Sequence, residues 1–351
     1  MTTLSNGAAA SEPARERSRQ WPTMVDVARA SGASLKTVSR VVNGEPGVRP
    51  VTAERVQRAI AELGFQRNDG ASMLRRGSST ASIGMVLEDF SGPFYALLAG
   101  AVERVARDRG YLMLTGAAEN DPERAARLVA AFTARRVDGL IVAASRADHS
   151  DLDDCIPAGT RAVFVDRPSR RGDADSVSSD NEGGTRAAVR HLADLGHTSL
   201  GFLGADEHSW TIRRRLDGYR SAVRADPAID PQSVERIAMG PHDDDTIAAA
   251  WSSWTSGDNP VTALVTANNR ATLALVRFLR SHPEIRVGYV GFDDFEAAEL
   301  IQPAVTVIAQ DADEIGRRAA ELLFDRIAGT AAAAQHVVIP TRLIQRDSGR
   351  R

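Results

Sequence analysis

Short apolar runs alternate with amphipathic helical patterns from about residue 82 to the end of the chain. Runs of three to five apolar residues bounded by turn-forming residues are typical of buried strands. We predict strands at residues 83–87, 111–114, 140–143, 162–165, 200–203, 263–265, 287–290 and 337–339. Strict alternation of strands and helices predicts parallel sheets covered by helices, and eight strands require more than one sheet.

A different pattern occupies residues 23–64, where short helical segments are separated by small residues. Thr23 and Ser34 are positioned to cap two successive helices, because their hydroxyls can accept the first free backbone N–H groups. The sequence Ser-Gly-Ala at 31–33 supplies the turn between these helices, Asn43-Gly44 ends the second, and a third runs from Thr52 to Gly64. Two short helices across a tight turn, supported by a third, predict a helix-turn-helix whose second helix reads DNA.

The outward face of the second helix carries the chemistry for that role. Lys36 and Arg40 lie one turn apart, beside the hydroxyls of Thr37 and Ser39. Side chains of these types reach base edges and phosphates, which argues against the alternative of a three-helix bundle that binds nothing. The residues of this segment that we expect to contact DNA are Thr23, Ser34, Leu35, Lys36, Thr37, Ser39, Arg40 and Asn43.

Charge is distributed unevenly along the 351 residues, although the net charge is only −3. Residues 21–78 carry nine Lys/Arg against five Asp/Glu, while residues 79–351 carry 31 against 39. A basic head on an acidic body indicates that only the head approaches phosphate. Cys155 is the only cysteine, no apolar run is long enough to span a bilayer, and residues 1–20 read as a disordered polar leader without a signal-peptide core. We therefore expect a cytoplasmic protein.

The segment PTMVDVARASGASLKTVSRVVNGEPGV resembles the headpiece of the lactose/galactose repressor family, and the resemblance continues over about residues 22–348. It implies a helix-turn-helix head at 21–67, a hinge at 68–78 and a two-lobed core at 79–351 that resembles periplasmic sugar-binding proteins. It also implies a homodimer on a pseudo-palindromic operator. No leucine heptad follows RLIQRDSGRR, so we expect a dimer and not a tetramer.

The hinge sequence NDGASMLRR is a poor helix in isolation, and a plain flexible linker is the alternative interpretation. In the family this segment folds on DNA and wedges a leucine into the minor groove, a known way of bending the duplex. By this resemblance Asn68, Ala71 and Leu74 contact DNA. Arg67 stands where the family has proline, and with Gly70 it predicts a looser hinge.

Ligands of open parallel sheets bind beyond the carboxyl ends of the strands. Residues at such positions are Asp89, Phe94-Tyr95, Ser145, Asp166-Arg167, Asn268-Asn269 and Asp293. Carboxylates and amides beside an aromatic ring and an arginine suit a polyhydroxylated ring. The family resemblance places Phe94 at the cleft mouth, Arg215 (in RRRLDGYR) on a ligand-clamping arginine and Asp293 on a ligand-binding carboxylate, whereas Asn269 replaces a usual aspartate. The residues that we expect to bind an effector are Asp89, Phe94, Ser145, Arg215, Asn269 and Asp293.

No nucleotide-binding loop, zinc-protease motif or nucleophile elbow is present, and the histidines have no metal-ligand spacing, so we expect neither an enzyme nor a cofactor. We interpret the chain as a ligand-responsive transcriptional regulator, most simply a repressor, whose effector is a small polar molecule such as a sugar. The alternatives are a sugar transport protein, an enzyme with a DNA-binding head, and a regulator that answers to a protein partner and has a vestigial cleft.

Overall fold

A computed structural model of the chain describes residues 22–66, 79–143, 154–169, 173–205, 208–240, 243–330 and 333–350. The chain divides into two compact units, Met1–Ser78 and Ser79–Arg351, and each is described by itself.

The described part of the first unit, residues 22–66, contains the helices α1 (Met24–Ser31), α2 (Leu35–Val42) and α3 (Pro50–Leu63). Their shared core is formed by Val27, Val38, Val56 and Ala59. The helix-turn-helix prediction is therefore confirmed, with one boundary wrong. The third helix begins at Pro50 and not at Thr52, since proline lacks the N–H that would be left unpaired in a first turn.

The second unit has two six-stranded sheets with helices around them. Its strands are β1 (Ser82–Leu87), β2 (Leu112–Ala117), β3 (Gly139–Ala143), β4 (Ala162–Val165), β5 (Asp175–Ser179), β6 (Leu200–Leu203), β7 (Ile237–Ala238), β8 (Ala263–Thr266), β9 (Gly288–Phe292), β10 (Thr306–Ala309), β11 (His336–Ile339) and β12 (Arg342–Ile344). Its helices are α4 (Pro93–Asp108), α5 (Pro122–Ala134), α6 (Asn181–Asp194), α7 (Trp210–Ala225), α8 (Asp244–Thr255), α9 (Asn269–Ser281) and α10 (Ala312–Ala328), with two short 3₁₀ helices at Pro231–Glu235 and Glu296–Glu299.

Each sheet is the centre of one lobe. Lobe 1 has the strand order β11-β5-β4-β3-β1-β2, in which every pair is parallel. Lobe 2 has the order β12-β10-β9-β8-β6-β7, in which only the edge strand β12 is antiparallel to its neighbour. Both faces of such sheets are covered, so inner strands such as β3, β8 and β9 are buried along their whole length, as the apolar runs in the sequence indicated.

The chain passes between the lobes three times. The first two crossings lie near residues 179–181 and 308–310, because β5 belongs to lobe 1 and β10 to lobe 2 while the following helices pack on the other lobe. The third crossing lies between β11 and β12 at residues 340–341. These crossings place the carboxyl ends of the strands of both lobes around one cleft.

Four strands escaped the sequence pattern: β5, β7, β10 and β12. The sequence of β5 is DSVSS, and its polar side chains are satisfied by residues far away in the chain. Asp175 is fully buried and accepts two hydrogen bonds from Arg326 at 2.7 and 2.8 Å, and Ser176 pairs with His336. A polar strand of this kind is visible only when its partners are known.

Candidate functional site

The outward face of α2 is exposed at the positions that the sequence indicated. Leu35 is 50% exposed and Lys36 is exposed, while Thr37, Ser39 and Arg40 are partly exposed. Val41 and Val42 are only partly buried, because Val38 is the residue of α2 that faces the centre of the small core. Arg40 lies 4.0 Å from Glu45, a contact so long and exposed that it leaves the guanidinium available.

Both predicted helix caps are present. Thr23 Oγ1 accepts a hydrogen bond from the Asp26 backbone N–H, and the Asp26 carboxylate accepts one from the Thr23 N–H at 2.9 Å, which completes a capping box. Ser34 Oγ accepts from the Thr37 N–H at 3.1 Å and also bonds to the Thr37 hydroxyl. Thr23 and Ser34 therefore fix the ends of α1 and α2, whatever further contacts they make.

Asn43 lies at the end of α2 in right-handed geometry, and it is Gly44 that adopts the left-handed conformation. The Asn43 side-chain amide donates to Glu45 at 3.2 Å and to Ser39 at 3.4 Å. The hinge residues Asn68, Ala71 and Leu74 lie outside the described residues, as does Ser145. Their assignments stay predictions.

A cavity of about 460 Å³ lies between the two lobes at the carboxyl ends of their strands. Its lining includes five of the six residues predicted to bind an effector. These are Asp89, Phe94, Arg215, Asn269 and Asp293. The cavity volume falls within the range of small-molecule sites, and the cavity lies at the strand ends, where ligands of such sheets bind.

Arg215 is fixed at the floor of this cavity. It is 4% exposed, and its guanidinium donates to Asn181 Oδ1 at 2.8 Å and to the Ala267 carbonyl at 2.7 Å. It also stacks 3.7 Å above the centre of the Phe292 ring. Burial lowers the pKa of Arg215 while Asp293 and Asp166 oppose the shift, and the group stays charged because a guanidinium does not deprotonate in proteins.

Asp293 is joined to both lobes by a chain of polar contacts. Its Oδ2 lies 3.7 Å from Arg215 Nη1, and its Oδ1 accepts a hydrogen bond from Gln310 Nε2 at 2.5 Å. The Ser179 hydroxyl, at the end of a lobe 1 strand, donates to the Gln310 amide oxygen. Gln310 was not predicted as a site residue. It lies at a crossing between the lobes, so the strand-end rule, applied to the predicted strands, could not indicate it.

Asp166 occupies the corresponding place in lobe 1. It follows β4 and is 5% exposed, and no described residue forms a hydrogen bond with its Oδ1. Burial raises the pKa of Asp166 to about 7; the charge of Arg215 opposes that shift, while Asp293 and Glu88 add to it. The strand-end rule named this residue, but nothing in the sequence distinguished it from a turn-capping aspartate.

Among the described residues, an ion pair between Arg270 and Asp89 joins the two lobes beside the cavity. Arg270 of lobe 2 donates to Asp89 Oδ2 at 2.8 Å and to the Ser91 hydroxyl at 3.0 Å. The other oxygen of Asp89 accepts from the backbone N–H groups of Ser91 and Gly92, so this carboxylate is largely occupied by its own turn and by Arg270. The rings of Phe94 and Tyr95 pack edge to face, with centres 5.2 Å apart, and line the apolar side.

The neighbouring residues Asn268 and Asn269 have different roles. Asn268 caps α9, since its Oδ1 accepts from the Ala271 N–H at 2.9 Å. Asn269 is the first residue of α9 and lines the cavity.

Within the described ranges no cluster of His, Cys, Asp and Glu could hold a metal ion. No described helix is both long and apolar enough to cross a membrane.

Comparisons with known proteins agree with this architecture. Residues 23–68 match the profile of bacterial regulatory proteins of the lacI family, and residues 189–349 match that of the periplasmic binding protein-like domain. The HTH-type transcriptional regulator CelR of Thermobifida fusca is 32% identical over 94% of this chain and 99% of its own length. A solved structure of the transcriptional regulator CelR in complex with cellobiose has a TM-score of 0.67 at 30% identity, covering 93% of this chain and 99% of that one.

The structure of the Lac repressor dimer bound to operator and the anti-inducer ONPF superposes with a TM-score of 0.78 at 25% identity, covering 95% of this chain and all of that one. The likeness thus extends through the head and both lobes. Together with the identity to CelR, it shows that the chain belongs to the lacI family of bacterial regulatory proteins, a family of DNA-binding transcriptional regulators.

Proposed function

We propose that this protein is a repressor that binds a pseudo-palindromic operator as a homodimer, and that a sugar or sugar derivative bound between the lobes controls that binding. The observation that carries the proposal is the Arg215–Asp293 pair, held rigidly at the floor of a cavity to which both lobes contribute. A ligand there contacts both lobes at once, which is the requirement for a ligand that sets their arrangement.

The lining suits a polyhydroxylated ring. Arg215 donates, the carboxylates of Asp293 and Asp166 accept, and the rings of Phe94 and Tyr95 offer an apolar surface to the face of a sugar. The solved complex of CelR with cellobiose shows that one related protein binds a sugar.

The DNA side of the proposal rests on α2. Leu35 and Lys36 lie on its first turn, the end of a recognition helix that enters the major groove. Lys36 can donate to guanine O6 and N7, whereas Leu35 offers only apolar contact, for example to a thymine methyl group. The base-reading role of these two residues is tested by selecting binding sites from random DNA with the wild type and with a Leu35→Ala/Lys36→Ala double variant. The same consensus from both proteins would contradict it.

Coupling between cleft and DNA would run along the chain. Lobe 1 begins at residue 79, directly after the predicted hinge at 68–78, so a rotation of lobe 1 on ligand binding changes the spacing of the two hinges in a dimer. That spacing decides whether the Leu74 segments can meet in the minor groove. A ligand moves this equilibrium only by as much as it prefers one arrangement over the other.

The effector side is tested with purified full-length protein. A thermal-shift screen over sugars and nucleobases identifies a ligand, and operator affinity is then measured with and without it. We expect Arg215→Ala and Asp293→Ala to bind operator like the wild type and to lose the response to ligand. Arg213→Ala is the matched control, since Arg213 is exposed on the same helix and should respond normally.

If the operator affinity of Asp293→Ala changes with ligand as it does in the wild type, the proposal that ligand binding in the cleft controls DNA binding is wrong. A wild type that answers to none of the small molecules, but changes its operator affinity with a protein partner, would establish the alternative of a regulator with a vestigial cleft.

A further inference from the structure

A further cavity of lobe 2 lies at the edge of its sheet opposite the cleft. It has a volume of about 540 Å³ and is formed by the end of α9, the loop between α9 and β9, and the segment before β10. Val287 directly precedes β9 and Pro303 lies shortly before β10, so this cavity is at the amino ends of the strands. The cleft is at their carboxyl ends, and no described residue lines both cavities.

The segments around this cavity are fixed by backbone hydrogen bonds. In the loop after α9, the Ile285 N–H donates to the His282 carbonyl at 3.0 Å. On the other side, the Val305 N–H donates to the Ala298 carbonyl at 2.7 Å, which holds the segment before β10. The cavity is therefore formed before any ligand arrives, and a ligand does not have to order it.

A buried tyrosine forms part of the cavity wall. Tyr289 is 2% exposed and its ring packs in the apolar core of lobe 2, but no described residue forms a hydrogen bond with its hydroxyl. The hydroxyl of Tyr219, the other fully buried tyrosine of this lobe, donates to the Ser233 carbonyl at 3.0 Å. Burial raises the pKa of Tyr289 to about 12, so its hydroxyl stays protonated at neutral pH. Buried polar groups are nearly always hydrogen-bonded, so a donor left open at a cavity wall indicates a ligand.

Two arginines supply positive charge to the same cavity. Arg280 lies in the last turn of α9 and Arg286 in the following loop; both are exposed, and neither pairs with a carboxylate in the described part of the chain. A helix end favours a cation, which accounts in part for Arg280 but not for Arg286. The described lining contains no acidic residue. The charge offered to a ligand here is therefore positive.

The rest of the wall is mainly aliphatic. The aliphatic residues of the lining are Val276, Leu279, Ile285 and Val287. We propose that this cavity is a second ligand site, for a small organic anion with an apolar body such as an aromatic carboxylate. Arg280 and Arg286 attract the carboxylate, the Tyr289 hydroxyl donates to a ligand oxygen, and the apolar body packs on the aliphatic wall. This site is independent of the effector site that we propose in the cleft.

The experiment uses full-length protein and three probes, benzoate, benzamide and acetate, at pH 7 and constant ionic strength. Benzamide keeps the ring of benzoate and lacks the charge, whereas acetate keeps the charge and lacks the ring. Dissociation constants come from isothermal titration calorimetry. We expect benzoate to bind, and each of the other two probes to bind more weakly by about tenfold or more, because each lacks one of the two interactions.

Variants of the lining locate the site. Arg286→Gln should weaken benzoate by about tenfold and leave benzamide unchanged, since only the charge is lost. Tyr289→Phe removes only the hydroxyl and should also weaken benzoate by about tenfold. Its midpoint of urea unfolding should not fall, because the hydroxyl has no partner in the free protein. Arg224→Gln is the matched control, since Arg224 is an exposed arginine in the last turn of α7 and does not line the cavity.

Arg215→Ala separates this site from the cleft and should bind benzoate like the wild type. The inference is overturned if wild-type protein does not bind benzoate, or if Arg286→Gln binds it as tightly as Arg224→Gln does. Loss of benzoate binding in Arg215→Ala with normal binding in Arg286→Gln would place the anion in the cleft instead. Binding confined to protein concentrations at which a dimer dissociates would mean that a second copy fills the cavity, which also overturns the inference.

Discussion

Asp166 should lower the stability of the ligand-free protein at high pH. Its pKa is raised from 3.8 to about 7 by burial, so the folded state binds more protons than the unfolded state between these values. The buried carboxyl therefore costs the folded state no free energy of unfolding below about pH 4, where it is protonated in both states. The free energy of unfolding falls as the pH rises through about 7, because the buried group must then ionise. We expect Asp166→Asn to be more stable than the wild type at pH 8, by about 1–3 kcal/mol, and similar to it at pH 4.5.

Urea unfolding of both proteins across this pH range provides the measurement. Asp108→Asn, at an exposed position of lobe 1, is the control and should follow the wild type at every pH. A constant difference between Asp166→Asn and wild type from pH 4.5 to 8 would mean that Asp166 titrates normally in the folded protein.

Lys36 is a second residue whose effect is separable from its surroundings. It is exposed on the first turn of α2 and takes part in no described ion pair, so its removal should cost the fold nothing. We expect Lys36→Ala to weaken cognate operator binding by roughly 1–3 kcal/mol and random DNA only slightly. Fluorescence anisotropy at fixed salt measures both, with Arg58→Ala on α3 as a control for the loss of one exposed charge. Equal losses of binding free energy on cognate and random DNA would mean that Lys36 contacts phosphate and does not read a base.

At the scale of the element, the beginning of α2 combines a structural and a recognition role in Ser34. Its hydroxyl caps the helix through the Thr37 N–H, and it lies on the exposed surface. Ser34→Ala should lower the stability of the helix by about 1 kcal/mol, since the cap is lost. Ser34→Asp keeps a cap and favours the helix dipole, but it adds a negative charge at the end that approaches DNA.

We therefore expect Ser34→Asp to protect the α2 amides from hydrogen exchange as well as the wild type does, and to bind operator at least tenfold more weakly. The two measurements are made on the same full-length protein. If operator affinity falls only in the variant whose α2 amides lose protection, and stays normal where protection is normal, Ser34 acts only as a helix cap.

At the scale of the whole molecule, the charge of one head is small. Residues 21–78 have an excess of four basic residues, which is modest for a site that must neutralise many phosphates. Two linked heads solve this, because the second engages DNA at a high effective concentration.

We expect a dimer at micromolar concentration by sedimentation equilibrium, and full-site operator affinity at least a hundredfold above that for a half-site of the same sequence. A dominant monomer or tetramer, or equal affinities for the two DNAs, would contradict this arrangement.

The sequence by itself determined the helices and strands whose formation depends on neighbouring residues in the chain. The caps of α1 and α2 need only Thr23 and Ser34 next to free N–H groups, and the eight strands predicted from the sequence need only runs of apolar residues. The strand-end rule then located the cleft, since the carboxyl ends of parallel strands meet at one edge.

Only the tertiary structure decided which polar groups are satisfied. Strand β5 is hidden in the sequence because Asp175 depends on Arg326, and Arg215 is engaged by Asn181 and Ala267 from two other segments. Asp166 is distinguished from an ordinary turn residue by its burial and by its Oδ1, which no residue in the described part of the chain bonds. Such contacts join residues dozens to more than a hundred positions apart, and pairings at that range leave no period or spacing in the sequence, so they are decided only when the lobes are folded.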